Sequence, residues 1–278
     1  MAYDNYALIR VVCEGRVVMA TIDNPPINIV TMGLFGELAR LAIELEADRD
    51  ALVFVLKSAD PDFFMAHFDV GAILDFPVEA PAARDAGPNA WHEMCERFAT
   101  VDKVTIAQIE GRVGGGGAEI SMAFDMRFGV LAKTIVNQME VPLGIIPGGT
   151  GTQRLPRLVG HGRAMEIILA GTDMDAATAE RWGWLNRAMA ADEIGPFVAA
   201  LAARIASFPA DAVRLAKQSV SNAARPLAEG LAEEGYLFQT LIRTPAARAA
   251  MARFLASGGQ TRDVEMRIAE VSAELGKA

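Results

Sequence analysis

Short apolar runs, broken by glycine and proline, fill the first half of the chain. "YALIRVVCEG" and "RVVMATIDNPP" are rich in β-branched residues, meet at a Glu-Gly turn and close at Pro25-Pro26, so they predict two strands. In "TMGLFGELARLAIELEADRD" the spacing becomes helical, with apolar positions at Leu34, Leu38, Leu41, Ile43 and Leu45. "ALVFVLKSA" is continuously apolar, as in a strand buried on both faces. "WHEMCERFATV" predicts another helix. "VTIAQIEG" predicts a strand that enters a run of glycines and leaves as a helix. This alternation indicates α/β layers.

Beyond about residue 155 helical periodicity takes over. It runs through "HGRAMEIILAG", "AATAERWGWL", "IGPFVAALAARIASF", "ADAVRLAKQSVSNA" and "LAEGLAEEGYLFQTLI", with glycine or proline breaks and no repeat period. The final stretch, "SGGQTRDVEMRIAEVSAELGKA", is polar with a glycine break, and is expected to be mobile or to dock on a partner subunit.

Composition narrows this picture. The 278 residues, 52% hydrophobic and 22% charged, fit a globular protein with a sizeable core, as one large domain or a domain with an appendage. No run approaches the ~20 apolar residues of a membrane span, and "MAYDNYALIR" lacks the pattern of a secretory signal. The two cysteines, Cys13 and Cys95, are far apart and read as buried reduced thiols, which suits a cytoplasmic protein. A formal charge of −9 disfavours nucleic-acid binding.

Three stretches look costly without a function. "DPDFFMAHFDVGAI" follows the apolar strand, "VGGGGAEISMAFD" carries Glu119 just after four glycines, and "NQMEVPLGIIPGGTGTQRL" carries Glu140 ahead of a helix start at Thr150 or Thr152. The glycines serve tight packing or close approach of a ligand to the backbone. Glu119 alone reads first as a capping or dipole-complementing charge near a helix start. Glu140, between Met139 and Val141, is costlier, because a buried carboxylate must be paired or used.

Taken together, "IEGRVGGGGAEISMAFDMRF", "NQMEVPLGIIPGGTGTQRLPRLVG" and "RAMEIILAG", followed by "DAATAERWGWLNR", resemble the crotonase superfamily, the enoyl-CoA hydratase/isomerase group. The resemblance covers about residues 7 to 255. It implies an α/β crotonase (ClpP-like) spiral of β-β-α units over residues 1–195, holding the acyl-CoA site, and a C-terminal helical oligomerisation region over 196–278, with trimers often paired as hexamers. It implies an oxyanion hole from the backbone N–H groups of Gly116 and Phe68. Glu119 would help activate water and Glu140 would protonate the α-carbon. Ala66, His67, Asp69, Val70, Ile27, Gly115, Gly148 and Phe238 fall at substrate-binding positions. No metal or redox cofactor is implied, since coenzyme A belongs to the substrate.

The chain also departs from the family pattern. Ala66-His67-Phe68-Asp69 stands where A-G-A-D is common, so bulkier side chains border the acyl pocket, and His67 reads as packed or solvent-facing rather than catalytic. Met139 replaces a proline, and the segment from Asp125 to Glu140 is one residue longer than usual. Phe254 is kept, but Ser257 replaces a lysine that helps hold CoA phosphates. Hydration of a trans-2-enoyl-CoA is the leading expectation. A Δ3-Δ2 enoyl-CoA isomerase using Glu140 alone, or a non-catalytic acyl-CoA-binding subunit, are the alternatives.

Overall fold

A computed structural model describes residues 3–77, 79, 87–258, 260–261, 264 and 266–267. The chain visits two sheets by turns. The larger is built from β1 (Ile9–Glu14), β2 (Val17–Ile22), β3 (Val53–Ser58), β5 (Val104–Ile109), β7 (Met126–Val130) and β10 (Arg187–Met189), in that spatial order. Its pairs are parallel except β1 with β2. The smaller is built from β4 (Phe63–Met65), β6 (Arg112–Gly114), β8 (Ile135–Asn137) and β9 (Met174–Asp175), parallel except β8 with β9. So β3 hands on to β4, β5 to β6, and β7 to β8, one strand per sheet in each turn of a coil. The expected spiral is present.

Burial explains β3. Its residues alternate between two cores: Phe54 and Leu56 join a cluster with Leu34, Leu38 and Leu41 of helix α1 (Met32–Ala47), whereas Val53 and Val55 face Ile194, Val198 and Ala202 of a later helix. A strand covered on both faces has no polar side, hence its unbroken apolar run. Each large apolar side chain so buried contributes about 1.5–3 kcal/mol. Thr31 caps α1 by accepting a hydrogen bond from Leu34 N–H. Ile43 is exposed and Ala42 buried instead, because two residues beyond Leu41 the helix has turned through about 200°.

Helices fill the connections: α2 (Val70–Leu74), α3 (Ala90–Thr100), α4 (Gly115–Met122), α5 (Gly151–Val159), α6 (His161–Ala170) and α7 (Ala176–Trp182). α8 (Ala191–Ala206) covers the outer face of the large sheet. Residues 195 and 196 lie inside it. Then follow α9 (Ala210–Ser221), α10 (Leu227–Leu241) and α11 (Pro245–Ala256). On α10 Leu237 is buried, while Leu227, Leu231, Tyr236 and Phe238 are exposed. Most of the final polar stretch lies outside the described residues.

Two readings are corrected. Cys95 is buried but Cys13 is exposed, because β1 is the edge strand and most of its later residues face solvent. The strand entering the glycines is β6 rather than β5; a turn at Glu110 and Gly111 separates them. Among the described residues no single helix is long and apolar enough to cross a membrane.

Candidate active site

Three consecutive parallel strands of the small sheet end at one place. Phe68 lies three residues beyond β4, Gly116 two beyond β6, and Glu140 three beyond β8. The carboxyl ends of parallel strands are where such sheets place ligands.

The glycine run has two tasks. A Cβ on Gly114 would sit 2.6 Å from Ala66 O, and one on Gly117 would sit 2.6 Å from Met65 Cβ, so these two glycines let α4 pack on β4. Gly115, with φ +44°, turns the chain from strand into helix and brings its Cα against Glu140 and His67. Gly116 faces Trp91 and Phe68, a Cβ there falling 3.0 and 3.2 Å from their side chains. The tight-packing reading of the run holds at Gly114 and Gly117.

The amides of Phe68 and Gly116 stand outside the pairing of their neighbours. The bridge between Val30 and Phe68 uses the flanking residues: Val30 N–H donates to His67 O at 2.8 Å and Asp69 N–H to Val30 O at 3.1 Å. Phe68 N–H therefore points to the other side of the strand. Gly116 is the second residue of α4, where an N–H has no acceptor within the helix, and no side chain caps α4.

Every residue of α4 is buried, Glu119 included. Its carboxylate Oε1 accepts hydrogen bonds from Gly149 N–H at 2.8 Å and Gly151 N–H at 2.7 Å. Burial pushes Glu119 up to about 7; the Gly151 and Gly149 bonds oppose this, and the nearby charge of Glu140 adds to it. Glu140 is likewise raised by burial, with His67 opposing. Glu140 Oε2 is buried without a hydrogen-bond partner. Two buried acids on one cavity favour sharing a single proton.

That cavity, about 480 Å³, is lined by His67, Phe68, Val70, Gly115, Gly116, Glu119, Glu140 and Gly148, all singled out from sequence. Ala66, Asp69, Ile27 and Phe238 lie outside its lining. Ala66 is buried under Gly114, Asp69 caps α2 through Gly71 N–H at 2.9 Å, Ile27 is half-buried, and Phe238 is exposed on α10. His67 is half-buried, with Nδ1 2.8 Å from Phe68 O. Ser257, in the turn that follows α11, is its C-cap.

Sequence reasoning missed the apolar wall. Trp91 stacks on Phe35 with centroids 5.5 Å apart and meets Phe68 edge-on at 5.3 Å, and Phe76 continues the series. Met139, at the position of the usual proline, also lines the cavity. Among the described residues no cluster of three histidines, cysteines or acids could hold a metal ion.

Residues 13–260 match the enoyl-CoA hydratase/isomerase family model. A protein of Rhizobium meliloti named "Probable enoyl-CoA hydratase" is 37% identical over 91% of this chain and 96% of its own. The short-chain-enoyl-CoA hydratase of Clostridium acetobutylicum is 30% identical over 87% and 92%. The crystal structure of an enoyl-CoA hydratase from Bacillus anthracis superposes with a TM-score of 0.80 at 27% identity, covering 90% of this chain and 96% of that one. With two buried glutamates and two outward amides on one cavity, and with this likeness along nearly its whole length, the chain belongs to the enoyl-CoA hydratase/isomerase family.

Proposed function

We propose that this protein is an enoyl-CoA hydratase, a hydro-lyase that adds water to a trans-2-enoyl-CoA to give the 3-hydroxyacyl-CoA. The observation that carries the reading is the meeting of Glu119 and Glu140 on the cavity bordered by Phe68 and Gly116. An isomerase needs one proton carrier; a simple binder needs no pair of buried acids.

In this reading the thioester oxygen lies against the Phe68 and Gly116 amides. Water held by the two carboxylates attacks the β-carbon as Glu119 takes its proton. The carbon–carbon π pair moves to make an enolate, whose charge the two amides hold, and Glu140 then protonates the α-carbon. The product has gained one water and the pair of acids has exchanged one proton. The base role of Glu119 follows the family resemblance; above about pH 7 its carboxylate is charged, with two N–H bonds to Oε1 supporting that form against the burial that raises it. Glu140 suits the acid because its Oε2 is unbonded and burial favours its protonated form. Losing one donor from such an oxyanion site costs about 2.7–4 kcal/mol of transition-state stabilisation.

The exposed apolar residues of α10 support a homotrimer or homohexamer, in which neighbouring copies cover them. The test of the reaction is a panel of enoyl-CoA thioesters of different lengths, followed by loss of the conjugated chromophore. Turnover of Δ3-enoyl-CoA surviving Glu119→Gln, with no hydration by the unaltered protein, establishes the isomerase instead.

A further inference from the structure

Helix α3 sends three side chains to one short loop. Trp91 Nε1 donates to Gly149 O at 3.0 Å. His92 Nε2 lies 2.8 Å from Gly148 O, and Cys95 Sγ lies 3.9 Å from Gly149 O. The tautomer of His92 follows from its other nitrogen: Asn89 N–H donates to Nδ1 at 3.2 Å, so the ring proton sits on Nε2 and is given to Gly148 O. The same loop turns its amides the other way, Gly149 N–H and Gly151 N–H both reaching Glu119 Oε1. Residue 149 is thus held on both sides of its backbone, its carbonyl by α3 and its amide by the buried acid on α4.

We propose that Trp91 and His92 are positioning residues that hold the 148–151 loop so that its amides fix the orientation and ionisation of Glu119. Neither gives a proton to the reaction; His92 acts through the loop alone, and Trp91 adds this grip to its place in the cavity wall. The role assigned to Glu119 rests on the hydratase reading, but its anchoring does not. A helix is a rigid mount, and adjacent positions 91 and 92 gripping successive carbonyls leave the loop little freedom to turn about one bond. The loop needs such a mount because its glycines cannot hold a shape by themselves. A side chain at 149 would collide with Trp91 Nε1 and Glu119 Oε2, so glycine there is the condition for the contact. The other titratable groups around Glu119 are Glu140 across the cavity and Cys95 on the α3 side, the latter itself influenced by Arg154.

The test uses the whole protein with Trp91→Phe, which keeps the ring and removes the donor, and His92→Gln, which keeps a donor and the capping of α3. The Glu119 carboxyl is titrated directly by carbon NMR with labelled glutamate, assigned by its loss in Glu119→Gln, beside kcat and KM for hydration. Trp91→Phe is expected to raise the Glu119 midpoint by about 0.5–1 pH unit, since its charged form loses support. It should lower kcat about 5- to 10-fold; Trp91 also lines the cavity, so KM is read from His92→Ala, where it should change little. His92→Gln should stay close to the unaltered protein, and His92→Ala should follow Trp91→Phe. An unchanged Glu119 midpoint in both Trp91→Phe and His92→Ala overturns the proposal, including the case where kcat falls through lost packing alone. A raised midpoint in a protein that hydrates no enoyl-CoA upholds the anchoring and removes the hydratase reading instead.

Discussion

Gly151 N–H reaches back across thirty-two residues to Glu119 Oε1 at 2.7 Å, so the first residue of α5 fixes a carboxylate on the buried helix α4. Thr150, the residue just before α5, takes φ +104° to aim that amide. The acid is therefore held by backbone, which no side-chain exchange at 149 or 151 removes without first colliding with it: a Cβ at 151 would fall 2.8 Å from Glu119 Oε1. Replacements of the acid itself test its chemistry with least disturbance to shape.

Glu119→Gln and Glu140→Gln should each lower hydration about 10²- to 10⁴-fold, the range for removing a positioned acid or base. A glutamine at 119 still offers an oxygen to Gly149 and Gly151, so at about pH 5, where the raised acid costs the native state least, unfolding midpoints should change little. Steady-state rates beside urea melts check both halves. Full activity in either variant counts against the two-acid mechanism.

The raised pKa of Glu119 makes a prediction about stability. The folded state keeps its proton up to about 7, whereas the unfolded chain releases it near 4.5. Between those values the native state binds more protons, so stability falls as pH rises, and the penalty is complete above about 7. Its size is about 3 kcal/mol at most. Urea unfolding at about pH 5 and about pH 8 should show Glu119→Gln gaining on the unaltered protein at the higher pH. No change in their difference would falsify the shift.

Gly117→Ala should destabilise the fold by about 1–3 kcal/mol, because the added Cβ meets Met65 backbone and side chain. Gly162→Ala, in α6 with nothing within 4 Å of its Cβ, should stabilise by about 0.4–1 kcal/mol. Denaturant midpoints of the two variants should move in opposite directions.

Arg127 is buried, donating from Nε to Trp184 O at 2.7 Å and from its fork to Phe124 O at 2.6 Å. Burial lowers its pKa to about 10, and Asp125 opposes this. Arg127→Met strands those carbonyls and should cost at least about 2 kcal/mol. The thermal midpoint should fall while KM holds, since the side chain lies away from the cavity lining.

Much of this site can be read from the chain because its parts sit in loops whose composition is hard to explain by packing. Glycines next to an acid, and an acid next to a proline-glycine loop, are expensive unless used. Trp91 and His92 escape such reading. An aromatic residue at helical spacing looks like core, and a histidine three residues after Asn89 looks like a cap, which it also is. Strands β9 and β10, with two and three residues, are too short to show an alternation. Cys13 is misplaced by the general preference of thiols for the interior, which an edge strand does not respect.

The coil delivers Phe68, Gly116 with Glu119, and Glu140 from three successive storeys, each stepping off a strand of the same small sheet. The spacing between these groups is therefore set by the pitch of a hydrogen-bonded ladder, not by the long excursions between storeys. Those excursions are free to lengthen, shorten or change their lining, reshaping what the acyl group meets while the reacting atoms keep their distances.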